Sequence, residues 1–344
     1  MRPDPAMLDS RWRWTAKSFL VGRMAAALWR QRRAPIAALR ARAAEAGDRR
    51  AGRLPHPVAR RPEARTVVMF PSGPGRWPQL ADSIEAVQAS DGDRSQILVV
   101  DDSTVDTRAS VIRARFPEVD VIRKPFPTGG PPATWPVYRL GLLHALEHYD
   151  FEIFVKMDTD ALVTGPGFSD TVVARLAAAP RAGLAGCYRR RCDGATEDTT
   201  YHAAVLEREI PNAPELQSAV ELAEANGWHR GAIVHGGVQC ITRPAIEALA
   251  EAGWLAWRRP WHSQTADDCV ISMFVTACGF ELLSIGDPNG IFAVGNKHLP
   301  LPKELVADAE WVVAHSTKHG FEGEGEEELR SYFRARRATW NPAS

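Results

Sequence analysis

The chain has 344 residues, which is enough for one large α/β domain or two small ones with a sizeable hydrophobic core. Hydrophobic residues make up 45% and charged residues 24%, a composition typical of a soluble globular protein. Lys and Arg number 42 and Asp and Glu also number 42, so the formal net charge is zero. A neutral chain has no electrostatic reason to bind nucleic acid, and we expect no nucleic-acid partner.

The cysteines and the apolar runs bear on where the protein works. Five cysteines occur, an odd number, and no two of them have C-x-x-C spacing. This pattern argues against a zinc site or a disulfide framework and favours reduced thiols in a cytoplasmic protein. The sequence has no run of about 18 uninterrupted apolar residues, so no transmembrane helix is predicted. The apolar run over residues 19–28 is broken by Arg23 and has no following small-residue cleavage site, so a secretory signal is not predicted.

Residues 1–60 are predicted to form a basic helical extension and a linker. Over residues 10–46, Trp and aliphatic residues are interleaved with Arg and Lys, which is typical of a basic amphipathic helix. Such a helix can lie on the inner face of a membrane, or it can pack on its own domain or on a partner chain. Both alternatives stay open. Residues 51–63 are rich in Pro and Arg and are predicted to be the linker.

From residue 65 onward, short apolar runs alternate with segments of helical spacing. The predicted strands of the first half cover residues 66–70, 97–100, 119–122 and 152–157, and the predicted helices cover 77–89, 104–115 and 137–148. This alternation predicts an α/β fold with a mostly parallel, doubly wound sheet flanked by helices. Ligands of such sheets lie beyond the carboxyl ends of the strands. We therefore expect the polar turns after the first, second and fourth strands to share one functional edge.

The second half is predicted to complete one domain over residues 61–320, followed by a tail or helix over 321–344. Its predicted strands cover residues 183–188, 234–242 and 311–315, and its predicted helices cover 213–226, 244–252 and 267–277. No internal repeat interrupts this pattern.

Asp158 and Asp160 follow the fourth predicted strand as a D-T-D motif. Side chains at positions i and i+2 of a strand point the same way, so both carboxylates can converge on one hard cation. Mg²⁺ and Mn²⁺ prefer oxygen ligands and often share them with substrate phosphates. The motif alone is also a common surface turn. Its place on the predicted ligand edge favours a metal site that holds a diphosphate.

Asp101 and Asp102 follow the second predicted strand. A carboxylate at this point can accept hydrogen bonds from a nucleobase N–H or a ribose hydroxyl. Asp also favours the N-cap of a following helix. Both roles can hold at once, through different residues of the turn.

Asp267 and Asp268 begin an apolar helical segment. The helix dipole alone favours acids at this position. A positioned carboxylate can also act as the general base that takes the proton of an attacking hydroxyl, and two adjacent acids suit one base and one orienting partner.

Two further signals lie in the second half. Gly236 and Gly237 precede an apolar run, where paired glycines allow close approach of the backbone to a ligand or form a simple bulge. His315 ends the last predicted strand, and Lys318 follows it. A neutral imidazole can complete the coordination of a cation, and a lysine can hold a phosphate. A lone His after an apolar strand is more often a structural residue.

Taken in order, these segments resemble the GT-A glycosyltransferases. The first half, with TVVMFPS, ILVVDDSTVDT, GGPPATWPVYRLGLLHAL and FEIFVKMDTDALV, is similar to the family-2 type. The second half, with HGGVQCITRPAIEAL, TADDCVISMFVTACGF and WVVAHSTK, is similar to the fringe and β-1,3-galactosyltransferase branch. The resemblance covers roughly residues 65–318. It departs from the family-2 pattern where Pro131 and Pro132 stand in the Gly-rich segment.

The resemblance implies which residues would ligate a metal and which would bind the nucleotide of the sugar donor. Asp160 and His315 would ligate Mn²⁺ or Mg²⁺, and Asp158 would contact the ribose and reach the metal through water. The residues expected to bind the donor nucleotide are Pro71, Ser72, Asp101, Asp102, Lys156, Asp158, Gly236 and Gly237.

The resemblance also implies the reaction. Asp268 would be the catalytic base, with Asp267 as the alternative, in an inverting single displacement. The predicted enzyme is a hexosyltransferase that moves a sugar from a UDP- or GDP-linked donor to a hydroxyl of a saccharide, lipid-linked or other acceptor.

Two other functions fit parts of the pattern. A sugar-1-phosphate nucleotidyltransferase also uses a doubly wound sheet and paired Asp, but it needs a Gly-rich phosphate loop with a basic residue, of which residues 72–76 are a short version. It leaves the acids at 267 and 268 unexplained. A non-catalytic nucleotide-binding protein of the same fold predicts that the acids are lost, whereas here they are all present.

Overall fold

The computed structural model describes residues 61, 64–73, 75–102, 107–123, 134–212, 214–256, 265–308 and 310–340. The predicted helix over residues 10–46, with its membrane or partner contact, lies outside these residues. The predicted linker over residues 51–63 also lies outside them, except for residue 61.

The first half contains five strands and four helices among the described residues. In chain order they are β1 (Thr66–Ser72), α1 (Trp77–Asp91), β2 (Ser95–Asp101), α2 (Thr107–Arg115), β3 (Asp120–Arg123), α3 (Thr134–His148), β4 (Ile153–Met157), β5 (Leu162–Val163) and α4 (Phe168–Ala177). A short 3-10 turn, Gly92–Arg94, joins α1 to β2. β1 and β2 have apolar centres and are buried at almost every residue, because both of their faces are covered.

The second half has the remaining elements of the described chain. They are β6 (Ala182–Tyr188), α5 (Thr200–Glu209), α6 (Pro214–Ala225), β7 (Val234–Thr242), α7 (Arg243–Glu251), α8 (Asp267–Ala277), β8 (Glu281–Ser284), β9 (Phe292–Val294), α9 (Lys303–Asp308), β10 (Val313–His315) and α10 (Glu326–Arg337). A 3-10 turn, Ile210–Asn212, lies between α5 and α6.

Seven strands form the central sheet in the order β3-β2-β1-β4-β7-β6-β8. Neighbouring strands are parallel except at β7, which is antiparallel to both β4 and β6. Alternate residues of β1 enter two different cores: Val68 and Phe70 pack with α1, α2 and α4, whereas Val67 and Met69 pack with α3, α6 and α8. Helices therefore cover both faces, and the predicted α/β fold with a mostly parallel, doubly wound sheet is confirmed.

A second, three-stranded sheet of order β5-β10-β9 stands beside the carboxyl end of β4. β10 runs antiparallel to β5 and parallel to β9. Because β5 begins just after the D-T-D motif, this sheet carries the end of the chain back to the edge where the parallel strands stop.

Candidate active site

The D-T-D motif lies directly after β4, at the carboxyl edge of the parallel strands. β4 is buried along its whole length: it pairs with β1 on one side and β7 on the other, and its alternate side chains enter the cores on the two faces of the sheet. The amide of Ala161 donates to the carbonyl of Asp158 over 2.9 Å and closes the turn. The side chain of Asp158 is 35% exposed and that of Asp160 is 7% exposed.

His315 reaches this motif through the second sheet. β10 pairs with β5 so that Ala314 lies opposite Leu162, and the next residue of β10 comes beside the D-T-D turn. One ligand atom from each of Asp158, Asp160 and His315 lies within 4.8 Å of the others. We call these three residues the Asp–Asp–His cluster.

A hydrogen bond to a backbone carbonyl orients the imidazole of His315. Its Nδ1 lies 2.9 Å from the carbonyl oxygen of Gly295, and since a carbonyl only accepts, Nδ1 is the donor. Nε2 then points at Oδ2 of Asp160, 3.4 Å away. Metal-bound histidines typically donate their other ring N–H to a backbone carbonyl in this way. A lone pair and a carboxylate oxygen that face each other need a cation or a proton between them.

Asp160 is held in its ionised form. The hydroxyl of Ser316 donates to its Oδ2 over 2.8 Å, and Nζ of Lys318 lies 2.8 Å from the same oxygen. Burial opposes ionisation, but the hydrogen bonds and charges of His315, in its protonated form, and of Lys318 outweigh it and hold the pKa of Asp160 well below its usual value. A carboxylate must be deprotonated to bind a metal, so this condition is met at neutral pH.

The donor atoms of the Asp–Asp–His cluster fit a divalent cation such as Mn²⁺ or Mg²⁺. Two carboxylates supply the oxygen ligands that these ions prefer. Burial raises the pKa of Asp158, and the charge of Asp160 adds to this rise although Lys156 opposes it. A cation shared by the two carboxylates would remove that repulsion.

Lys156 connects the cluster to the acids of α8. Its side chain is only 3% exposed, and Nζ lies 2.7 Å from Oδ1 of Asp158 and 3.6 Å from Oδ2 of Asp267. Nζ also donates to the carbonyl of Gly236. Burial opposes the ammonium, but the charges of the two aspartates outweigh it and raise the pKa of Lys156. The lysine is therefore a fixed positive charge between two carboxylates.

Gly236 and Gly237 run between the two sides of the site. The amide of Asp158 donates to the carbonyl of Gly237 over 2.9 Å. A Cβ on Gly237 would lie 2.4 Å from Cε1 of His315, whereas a Cβ on Gly236 would lie 3.4 Å from Oδ2 of Asp268. Residue 237 must therefore lack a side chain if His315 is to occupy its place, while the contact at 236 is an ordinary one.

α8 presents its two acids at its amino end, where the helix dipole stabilises them. The hydroxyl of Thr134 donates to Oδ1 of Asp267 over 2.7 Å, and the amide of Cys269 donates to Oδ1 of Asp268 over 2.8 Å. Burial, and then the charge of Asp267, raise the pKa of Asp268 to about 7 against the opposing charge of Lys156. A carboxylate with a pKa near neutrality is suited to general-base catalysis.

The predicted nucleotide-binding residues of β1 and β2 lie at the same edge. Pro71 and Ser72 end β1, Ser72 is in register with Asp101 at the end of β2, and the amide of Asp102 donates to the carbonyl of Ser72 over 2.9 Å. β1 neighbours β4, so these residues lie one and two strands from the D-T-D motif. Asp101 is fully buried and Asp102 is partly exposed, so Asp102 is the acid that is open to a ligand from the solvent side.

Some residues that support the site carry no clear signal in the sequence. Ser316 follows His315 directly, and its position in the A-H-S-T-K run could have suggested a role. Thr134 lies in the Pro- and Gly-rich segment, where only its bond to Asp267 identifies it. Arg330 of α10 donates to the carbonyl of Thr159, inside the D-T-D motif, over 2.7 Å.

No family model matches the chain, and no curated protein matches it either. The chain is similar to the solved structure of the mannosyltransferase PcManGT from Pyrobaculum calidifontis in complex with GDP-Man and Mn²⁺, at 21% identity over 73% of this chain and 63% of that chain, with a TM-score of 0.39.

It is also similar to S. aureus TarS 1–349, at 10% identity over 64% of this chain and 58% of that chain, with a TM-score of 0.39. TarS 1–349 in complex with UDP matches at 15% identity over 40% of this chain and 39% of that chain, with a TM-score of 0.30. The matched part is less than two thirds of each of these chains. At these identities and TM-scores the likeness assigns no reaction to this chain.

Among the helices of the described residues, none has both the length and the apolar character that crossing a membrane requires.

Proposed function

We propose that this protein is a metal-dependent glycosyltransferase, which moves a sugar from a nucleotide-diphosphate donor to a hydroxyl of an acceptor. One observation carries the proposal: the Asp–Asp–His cluster and the carboxylate of Asp268 flank the same pair of glycines, Gly236 and Gly237. A cation site and a base on the two sides of one backbone segment provide the two groups that glycosyl transfer needs. The activity is assigned to the domain over residues 61–320.

Asp158, Asp160 and His315 would hold the cation, Mn²⁺ or Mg²⁺. When bound, such a cation stabilises the negative charge that develops on the leaving diphosphate. Lys318 is 49% exposed beside Asp160, so its ammonium is available to a phosphate oxygen that approaches from solvent. Lys156 is buried, and its role is to fix Asp158 and Asp267 relative to each other.

Asp268 is proposed as the general base. The acceptor oxygen forms a bond to the anomeric carbon, the bond from that carbon to the diphosphate oxygen breaks, and the hydroxyl proton passes to the Asp268 carboxylate. Asp267 accepts from Thr134 and faces Lys156, which makes it the orienting partner rather than the base. Attack from the face opposite the leaving group inverts the anomeric centre, and this stereochemistry is part of the proposal.

The nucleotide is proposed to lie along the carboxyl ends of β1 and β2. Asp102 is partly exposed there and can accept from a nucleobase N–H or a ribose hydroxyl. Pro71 and Ser72 form the adjoining wall. Asp101 is fully buried and in register with Ser72. Its proposed role is to hold the turn that carries Asp102.

One contact argues against the nucleotidyltransferase alternative. Arg76 is the basic residue that this alternative needs for a phosphate loop, but its guanidinium donates to Glu326 over 2.7 Å and 3.0 Å. The arginine is thus engaged by a carboxylate of α10. The acids at 267 and 268 also have no part in nucleotidyl transfer.

The test is a comparison of two product assays on the full chain. A panel of UDP- and GDP-linked sugars is incubated with Mn²⁺, and release of UDP or GDP is measured; nucleoside triphosphates with sugar-1-phosphates are assayed in parallel for pyrophosphate. We expect nucleoside diphosphate release that stops when Mn²⁺ is chelated and that Asp160→Ala abolishes in a folded protein. Full turnover by Asp160→Ala would contradict the mechanism, and pyrophosphate release would establish the alternative.

A further inference from the structure

The C-terminal helix α10 packs against the domain next to the D-T-D turn, where Arg330 bonds the carbonyl of Thr159. Leu329 and Phe333 belong to the same core as α1 and α4. The first turn of the helix is acidic and its last turn is basic, which suits the helix dipole at both ends. The helix therefore has an apolar reason to dock, quite apart from its charged residues.

Arg330 is nevertheless the most deeply buried cation of this helix, at 1% exposure. On one side its Nη1 donates to Oδ2 of Asp82 over 2.9 Å, and it also reaches Oγ of Ser83 at 3.3 Å and the carbonyl of Gln79 at 3.2 Å. All three acceptors belong to α1. These bonds fix the guanidinium to a rigid helix of the scaffold.

The other side of the same guanidinium bonds both segments that carry the Asp–Asp–His cluster. Nη2 donates to the carbonyl of Thr159 over 2.7 Å and to the hydroxyl of Thr317 over 3.3 Å. Thr159 stands between the two aspartates, and Thr317 comes two residues after His315. The Thr317 hydroxyl donates in turn to the carbonyl of Asp160 over 3.0 Å, and its amide does so over 2.9 Å.

Stability alone does not account for a charge at this position. A buried ion pair stabilises a fold little or not at all compared with well-packed apolar side chains, because its desolvation offsets the Coulombic attraction. What an apolar side chain cannot do is to bond two separate loop segments and one scaffold helix at once. The planar guanidinium, with its five donors in a fixed fork, has this capacity.

We propose that Arg330 is a positioning residue of the metal site: it sets the separation between the D-T-D turn and His315, so that α10 is part of the catalytic apparatus. The proposal rests on the proposed function in taking the Asp–Asp–His cluster as the metal site. Partners that orient metal ligands in this way typically contribute about 10–100-fold to metal affinity.

Arg337 provides a matched control. It lies on the same helix, is 8% exposed, and donates to Asp82 through Oδ1 at 2.7 Å and the carbonyl at 3.2 Å. It thus shares the scaffold carboxylate with Arg330, but its described bonds go to α1 and not to the D-T-D turn or to Thr317. Arg337→Met removes a similar buried charge without touching the two ligand segments.

The experiment measures Mn²⁺ binding rather than turnover. The full chain and the variants Arg330→Met, Arg330→Lys, Thr317→Val and Arg337→Met are titrated with Mn²⁺, alone and with UDP or GDP, and free Mn²⁺ is followed by its EPR signal. Thermal unfolding sets a temperature at which every variant is folded. We expect Arg330→Met to raise the Kd for Mn²⁺ by about 10-fold or more. Arg330→Lys and Thr317→Val should give smaller increases, and Arg337→Met should leave the Kd unchanged even where it lowers Tm.

Each result has a fixed meaning. Unchanged Mn²⁺ affinity in Arg330→Met overturns the proposal, and so does an equal loss in Arg337→Met, which would reduce the role of Arg330 to helix stability. If Arg330→Met does not fold, Arg330→Lys and Thr317→Val decide, and wild-type affinity in both overturns it. A chain without substitutions that binds no Mn²⁺ under either condition would instead refute the metal site of the proposed function.

Discussion

Nζ of Lys318 lies 2.8 Å from Oδ2 of Asp160, on the carboxylate that is proposed to ligate the metal. The ammonium and a cation would therefore compete for one oxygen. Lys318 is 49% exposed, so it can leave Asp160 without unfolding the surrounding chain and turn to a phosphate instead.

Replacing Lys318 by Met should therefore affect metal and donor in opposite directions. An ion pair with a solvent-exposed lysine contributes about 0.2–1 kcal/mol, so the Kd for Mn²⁺ alone should fall by up to about five-fold. The KM for the nucleotide sugar should rise, because a phosphate contact is lost. Titration of the nucleotide-free protein followed by steady-state kinetics checks both. A variant that loses affinity for Mn²⁺ would show that the lysine supports the cation instead of opposing it.

The sheet and many of its helices follow from hydrophobic patterns. The predicted bounds of β7, residues 234–242, and of α8, residues 267–277, coincide with the structure. Both are apolar segments with Gly or Asp at one end, where pattern and burial agree. The reversed direction of β7 has no such signal, because side-chain alternation is the same in either direction along a strand.

The convergence of the Asp–Asp–His cluster is harder to derive from the residues alone. His315 reaches Asp160 because β10 pairs with β5. β5 has only two residues, too few for a hydrophobic pattern to predict it. The residues alone allowed His315 to be a metal ligand but favoured a structural role, and the family resemblance favoured the ligand. Arg330 has no signal at all, since a charged helical residue is ordinarily assigned to solvent and its partner Asp82 lies 248 residues away.

The pH dependence of turnover should report Asp268. Burial and the charge of Asp267 raise its pKa to about 7, and only the ionised form can act as a base. The rate at saturating donor should therefore increase as pH rises to about 7 and level off above it. Asp268→Asn should lower kcat by about 100-fold or more while Mn²⁺ and nucleotide binding persist. If the rate of this variant still rises with pH up to about 7, the pH dependence belongs to a group other than Asp268.

The same pKa shift has a consequence for stability with a definite sign. Because the folded-state pKa of Asp268 is raised, its contribution to stability is fully present below the ordinary carboxylate pKa and is lost as pH rises to about 7. Asp268→Asn carries no such penalty, so its Tm should exceed that of the unsubstituted protein at pH 8 and approach it at pH 4. Thermal unfolding at the two pH values tests this. Equal Tm differences at both would mean that residue 268 titrates alike in the folded and unfolded chains.

Lys156 should be the most costly residue of the site to replace. Its ammonium is 3% exposed between Asp158 and Asp267, so Lys156→Met leaves two carboxylates without their shared cation. Removing one partner of a buried pair typically costs about 3–5 kcal/mol, and the partial exposure of Asp158 favours the lower end. Mn²⁺ should restore more stability to this variant than to the unsubstituted protein, because it supplies positive charge beside Asp158. Lys303→Met, which removes a pair with Glu324 that includes neither of these acids, is the control and should show no enhanced response to Mn²⁺.

The two adjacent glycines should respond differently to the same substitution. In Gly237→Ala the new Cβ would meet the His315 ring at 2.4 Å, so the imidazole must move away from Asp160. We expect a loss of stability of about 1–3 kcal/mol from overpacking and a Kd for Mn²⁺ raised by about 10-fold or more. In Gly236→Ala the Cβ stands at an ordinary 3.4 Å from Asp268, so Mn²⁺ affinity and kcat should both stay close to those of the unsubstituted protein. Chemical denaturation, Mn²⁺ titration and kcat on both variants separate these effects. Equal Mn²⁺ affinities in the two variants would mean that His315 does not depend on the missing side chain at 237, and the ligand role of His315 would have to be abandoned.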